Sequence, residues 1–165
     1  MVQKTETHDV PVGGKVEAHV LIIEARFYEA IADMLADGAV AELKARGATF
    51  TRVQVPGALE IPQVLAAAAA ARGAGQFAFD GAIVLGCVIR GETAHYDIVC
   101  NNANHWTMDV AIRHDVPVGN GILTVETEDQ AVARAEGGIA GKGGDAARAC
   151  LDVLALKRSF GGKGA

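Results

Sequence analysis

Apolar residues along this chain follow two alternating rhythms, short β-branched runs and longer stretches that repeat every three to four residues. That alternation predicts βαβ units, and so a parallel sheet with helices on its faces. His19 to Phe27 predicts a first strand. Tyr28 to Arg46 follows as a helix, with Ile31, Leu35, Ala39 and Leu43 on one face and Gly47 as its stop. Thr49 to Val55 predicts a second strand, Pro56-Gly57 a turn, and Leu59 to Arg72 an alanine-rich helix able to pack closely on a neighbour. Gly81 to Ile89 is almost wholly apolar, as a central strand covered on both faces should be. The next helix carries Ile98, Asn102, Trp106 and Val110 on one face, with Val99 and Ala103 beside them. Val116 to Val125 predicts a fourth strand and Glu128 to Ala135 a short helix. A last helix, Asp145 to Ser159, places Lys157 and Arg158 at the negative end of its dipole.

These elements predict a three-layer α/β/α domain around a four-stranded parallel sheet. At 165 residues the chain suits one domain with a real core. That core is expected over residues 19–158, after an N-terminal arm (1–18) and before a loose tail (159–165). Half of the residues are apolar and 20 more are glycine, a share above the roughly 45–50% of ordinary soluble chains. The excess predicts buried contacts between subunits. Charges interrupt every apolar run before it reaches the roughly 18 residues of a membrane span, and Met1 to Lys15 has no signal-peptide core. A soluble cytoplasmic protein with no membrane partner is expected. The net charge of -5 comes without a basic stripe, which argues against nucleic acid as a partner. Cys87, Cys100 and Cys150 are odd in number and lack a C-x-x-C pair, so neither a disulfide framework nor a zinc knuckle is expected.

In open parallel sheets, ligands bind beyond the carboxyl ends of the strands. The candidate loops are therefore those at Phe27, at Val55 to Glu60, at Arg90 to His95 and around Asn120. Thr93 suits the N-cap of the third helix, whose free N–H groups at Ala94, His95 and Tyr96 form an anion site fit for phosphate. His95 in that first turn could accept a proton and return it, or could be a surface or capping histidine. Glu60 is either a hydroxyl or amide acceptor at the rim or simply an acid favoured by a helix start. His95 and His105 lie ten positions apart, roughly 280° around an ideal helix, so they do not share a face and no metal is predicted. Gly137 to Asp145 (GGIAGKGGD) fails as a phosphate loop on spacing and context, and reads as a flexible helix-to-helix connection. Lys142 lacks the apolar setting of a Schiff-base lysine. Arg134 could clamp a phosphate or be a solvated helix arginine.

Taken in order, ARF (25–27), VPGALEIP (55–62), GCVIRGETAHYDIVC (86–100), PVGNGILT (117–124) and ARAEGGIAGKGGDAA resemble the lumazine synthase family over residues 19–158. The resemblance implies a flavodoxin-like topology and a transferase of riboflavin biosynthesis. That enzyme condenses 5-amino-6-(D-ribitylamino)uracil with 3,4-dihydroxy-2-butanone 4-phosphate to 6,7-dimethyl-8-ribityllumazine, without metal or cofactor. Residue by residue, it implies that Phe27 stacks on the pyrimidine and that Ala58, Leu59 and Glu60 hold it, with Glu60 at the ribityl hydroxyls. Cys87, Val88 and Ile89 would meet the ring edge through their backbone, and Lys142 would lie near the bound pyrimidine. Glu92, Thr93 and Arg134 would bind the phosphate, and His95 would be the catalytic proton shuttle. It further implies a homopentamer with shared sites, in which Asn120, Arg134 and Lys142 face Phe27, Glu60 and His95 across the seam. The N-terminal arm would lie along the adjacent subunit's sheet. Pairing to a decamer, closure into an icosahedral capsid and contact with riboflavin synthase belong to the same implication. Asn120 and Leu59 stand where aromatics are common in the family, and Tyr28 where asparagine is, so weaker stacking on the pyrimidine is expected. A homologue that only binds flavin or lumazine, or only builds a cage, is the alternative.

Overall fold

The computed structural model describes residues 13–161. Four strands, β1 (His19–Ala25), β2 (Thr49–Val55), β3 (Gly81–Ile89) and β4 (Val118–Val125), form one sheet. All pair in parallel, in the order β2-β1-β3-β4. Five helices complete the chain: α1 (Glu29–Ala45), α2 (Ile61–Gly73), α3 (His95–Arg113), α4 (Glu128–Ala135) and α5 (Lys142–Phe160). Short 3-10 turns occupy Ala58–Glu60 and Gly138–Ala140.

Strand side chains alternate between faces, so each strand feeds two cores. Val20 and Ile22 of β1 and Ile83 of β3 join α1, α4 and α5 on one side. Leu21 and Ile23 of β1 and Val84 of β3 join α2 and α3 on the other. This three-layer sandwich is the predicted one. The strand order is also that of a doubly wound sheet whose chain direction reverses between β1 and β3. Among the described residues, no helix is long and apolar enough to cross a membrane.

Boundaries of β2, β3 and α4 fall where the sequence predicts, and the α1 face of Ile31, Leu35, Ala39 and Leu43 is fully buried. Gly47 ends α1 with φ +78°, a conformation that glycine adopts without a Cβ penalty. Several expectations need correction, among them the helix expected from Leu59, where Ala58–Glu60 form a separate 3-10 turn and α2 starts at Ile61. β1 stops at Ala25, because Arg26 turns into an ion-pair cluster and Phe27 leaves the sheet. β4 begins at Val118 because Pro117 has no N–H to give, although its carbonyl accepts from the Ala82 N–H at 2.8 Å. On α3 the sheet covers Val99, Ala103 and Val110, while Ile98 and Trp106 are about half exposed. Two adjacent faces of that helix are apolar, and periodicity alone cannot choose between them.

A further correction concerns the connection into α5. The helix starts at Lys142, three residues early, and the connection expected to be flexible is tightly packed. A Cβ on Gly143 would sit 1.9 Å from the Leu35 carbonyl oxygen, and one on Gly144 2.0 Å from that of Ile139. These glycines let α5 run against α1 nearly backbone to backbone. The arm is tied down at Gly14 and Val16. Arg46 Nε donates to the Gly14 carbonyl at 2.6 Å, and the Val16 N–H donates to the Arg46 carbonyl at 2.8 Å. The rest of the arm (1–12) and most of the tail (162–165) lie outside the described residues.

Candidate active site

A cavity of about 530 Å³ opens at the carboxyl ends of β1 and β3. This is the point where strand order reverses, the place an open parallel sheet offers to a ligand. Its walls come from three segments: Phe27 and Tyr28 after β1, Pro56 to Glu60 after β2, and Cys87 to Ile89 at the end of β3 with the loop into α3. Phe27, Ala58, Leu59, Glu60, Cys87, Val88, Ile89, Thr93 and His95, nine of the residues singled out from sequence, line it together.

Each wall has a local cause. Pro56-Gly57 turns the chain out of β2, the Glu60 N–H closes a 3-10 turn on the Gly57 carbonyl at 3.2 Å, and Pro62 sits in the first turn of α2, where no N–H is missed. The turn leaves Glu60 half-buried, with its carboxylate folded over Gly57, where a Cβ would meet Oε2 at 3.4 Å. His95 opens α3 and is exposed on the cavity side, and its backbone N–H donates to Thr93 Oγ1 at 3.3 Å. The donor that the sequence leaves free for an anion is thus engaged by the Thr93 hydroxyl. The N-cap of α3 is Ala94, one residue after the predicted Thr93, and no side-chain cap bond closes the helix start.

Burial pushes the Cys87 thiol up to about 11, and the Glu128 charge adds to the shift. Cys87 is therefore a protonated thiol at neutral pH and a poor nucleophile. Desolvation also raises the phenols of Tyr28 and Tyr96, which keeps both rings neutral. The groups left for proton chemistry inside the cavity are His95 and Glu60. Among the described residues, no three His, Cys, Asp or Glu side chains come together in an arrangement that could hold a metal ion.

Four predicted residues are not brought to the cavity wall. Glu92 is exposed in the loop before α3, next to the wall residues Gly91 and Thr93. Asn120, on β4, spends its amide inside the chain, donating to Asn104 Oδ1 at 2.7 Å and accepting from the Ile122 N–H at 2.9 Å. Arg134 is exposed at the end of α4 and donates to the Gln130 carbonyl at 2.9 Å. Lys142 begins α5. Tyr28, flagged in the sequence only as a departure from the family, Tyr96, flagged only for its backbone N–H, and Val99 also line the cavity. Tyr28 directly follows Phe27 and Tyr96 directly follows His95, so adjacency to a candidate was the available signal.

The sequence model of the family described as 6,7-dimethyl-8-ribityllumazine synthase matches residues 17–158. The 6,7-dimethyl-8-ribityllumazine synthase 1 of Rhodopseudomonas palustris is 54% identical over 141 residues, 86% of each chain. The enzyme of that name from Methylobacterium radiotolerans is 55% identical over 145 residues, 88% of this chain and 85% of its own. The one from Agrobacterium fabrum is 49% identical over 144 residues, 87% of this chain and 97% of its own. Matched along nearly its whole core, the chain belongs to the 6,7-dimethyl-8-ribityllumazine synthase family.

Proposed function

We propose that this protein condenses 5-amino-6-(D-ribitylamino)uracil with 3,4-dihydroxy-2-butanone 4-phosphate to 6,7-dimethyl-8-ribityllumazine, releasing phosphate and water. The observation that carries the reading is the convergence of Phe27, Glu60 and His95 from three separate loops on one cavity, in a chain of this family. An aromatic face, a hydroxyl acceptor and a proton shuttle are what a ribitylated pyrimidine and its condensation require.

In the reaction an amine attacks a carbonyl, the carbinolamine loses water, phosphate leaves by elimination, and a second amine closes the ring. Every step moves protons, so an imidazole within reach of the reacting atoms can serve several of them in turn. His95 takes that role, and the neutral Cys87 thiol offers no covalent route. Phe27 stacks on the pyrimidine, Ala58 and Leu59 border it, and Glu60 accepts from the ribityl chain. The backbone of Cys87, Val88 and Ile89 meets the ring edge. Glu92 and Thr93 flank the phosphate at the start of α3. Holding two reactants in register supplies much of the remaining acceleration.

Asn120, Arg134 and Lys142 enter from a neighbouring copy, and we read the working unit as a homopentamer. Two observations support this. Among the described residues, no lysine or arginine lines the cavity to meet a phosphate. In addition, α3 exposes Ile98, Trp106, Met108 and Ile112, an apolar face that a single chain leaves in water.

The test is lumazine fluorescence after mixing protein with both substrates, corrected for their spontaneous condensation. Turnover above background is expected, with His95→Ala slowing kcat by roughly 10²–10⁴-fold while pyrimidine affinity stays near that of the unsubstituted protein. An assembled protein without turnover would instead be a binding or cage-forming homologue.

A further inference from the structure

Both sequence neighbours of Phe27 are anchored, while Phe27 itself stands free. Arg26 N–H donates to the Val55 carbonyl at 3.0 Å. Its guanidinium, 12% exposed, binds Glu24 at 2.9 Å, Glu29 at 2.6 Å and also Asp33. Glu24 is fully buried and is held from the other side by Arg52, at 2.6 and 3.0 Å. The backbone entering Phe27 is therefore fixed. On the far side, the Tyr28 carbonyl accepts from the Ala32 N–H at 2.9 Å as α1 begins, and the Tyr28 ring packs on the core beneath α1. Between these anchors Phe27 projects with 73% of its surface exposed. It meets the Tyr28 ring in an edge contact, centroids 4.9 Å apart and planes at 74°.

An exposed aromatic side chain on a fixed backbone still samples several staggered rotamers. A second ring held nearly perpendicular to it selects among them, and such pairs are worth about two- to tenfold in an equilibrium constant. We propose that Tyr28 is a positioning residue that holds the Phe27 ring in the orientation against which the pyrimidine stacks. Tyr28 thereby tunes affinity for one substrate and leaves the phosphate-bearing one alone. This inference rests on the reading of Phe27 as the pyrimidine platform. It also gives the family position usually held by asparagine a use in this chain: with Asn120 engaged by Asn104, stacking rests on Phe27, and Tyr28 steadies it.

The experiment is a double-mutant cycle on the assembled protein, reading KM for each substrate and kcat from lumazine formation. Tyr28→Leu, which keeps apolar bulk and loses the ring, is expected to raise the pyrimidine KM by about two- to tenfold and leave the KM of the butanone phosphate unchanged. Tyr28→Phe, which keeps the ring edge, should restore the lost affinity. In a Phe27→Ala background, Tyr28→Leu should have no further effect on the pyrimidine KM. If its full effect persists there, Tyr28 touches substrate directly and the positioning role is overturned. If both KM values rise together in Tyr28→Leu, its role is merely structural and the inference also fails. A Phe27→Ala protein with an unaltered pyrimidine KM would overturn the platform reading itself, a result separate from either of these.

Discussion

The two faces of the sheet are finished to different degrees. On the α1, α4 and α5 side the chain closes on itself: Leu35, Leu43, Ala147 and Leu151 are fully buried, and Gly143 and Gly144 bring α5 against α1 and the turn before it. On the α2 and α3 side the sheet is covered by Val99, Ala103 and Leu65, but the outer surface of α3 carries Ile98, Trp106 and Ile112 into solvent beside a half-walled cavity. Glycine and alanine shape the first face for contact within the chain. Large apolar side chains on the second await contact beyond it. One side therefore supplies stability, and the other carries the cavity beside an uncovered apolar surface.

Substitutions can break that contrast. The largest effect is expected at Glu24, the buried acid on the closed side. Glu24→Ala leaves the nearly buried Arg26 guanidinium without its deepest partner, and removing one member of a buried ion pair costs roughly 3–5 kcal/mol. Urea unfolding should show the loss in the midpoint, and an unchanged midpoint would mean that Glu29 and Asp33 suffice for Arg26. A smaller effect is expected at Gly143. Its Cβ would strike backbone that cannot rotate away, so Gly143→Ala should cost about 1–3 kcal/mol, the range of overpacking. Gly73→Ala, at the end of α2 with nothing within 4 Å, serves as the control and should be neutral or slightly stabilising. Equal midpoints for the two variants would show that α5 can move off α1.

The same contrast explains what was legible in the sequence. Strand runs such as Gly81 to Ile89 declare themselves because burial on both faces leaves no polar residue in them. The α1 face was readable because Ile31, Leu35, Ala39 and Leu43 recur at four-residue spacing and the large side chains among them fall in that row. Where two readings shared one local pattern, only packing could decide. Gly143 and Gly144 look like helix breakers in isolation, and their use is a close approach, of Gly143 to Leu35 far back in the sequence and of Gly144 to the turn at Ile139. Ile98 and Val99 differ by one residue on α3, and the sheet covers Val99. In the site, loops adjoining strand ends were enough to gather Phe27, Glu60 and His95. The contact between Phe27 and Tyr28 was not foreseeable, because the angle between two adjacent rings depends on how the helix after them is anchored.

The smallest effect on the chain's own stability is expected on the open face, and it sharpens the comparison most. Ile98→Gln with Trp106→Gln removes two half-exposed apolar side chains and leaves Val99, Ala103 and Val110 in place beneath them. Surface changes of this kind usually stay within about 0.5 kcal/mol each, so the helical circular dichroism of an isolated chain should persist. Assembly should not. If this face is covered by a neighbouring copy, light scattering will show the variant as a smaller species, and lumazine formation will fall because the phosphate loses Arg134 from across the seam. A variant with the mass and turnover of the unsubstituted protein would mean that α3 faces water in the working enzyme. In that case Arg134 would have to reach the cavity from its own chain, against its present position at the exposed end of α4.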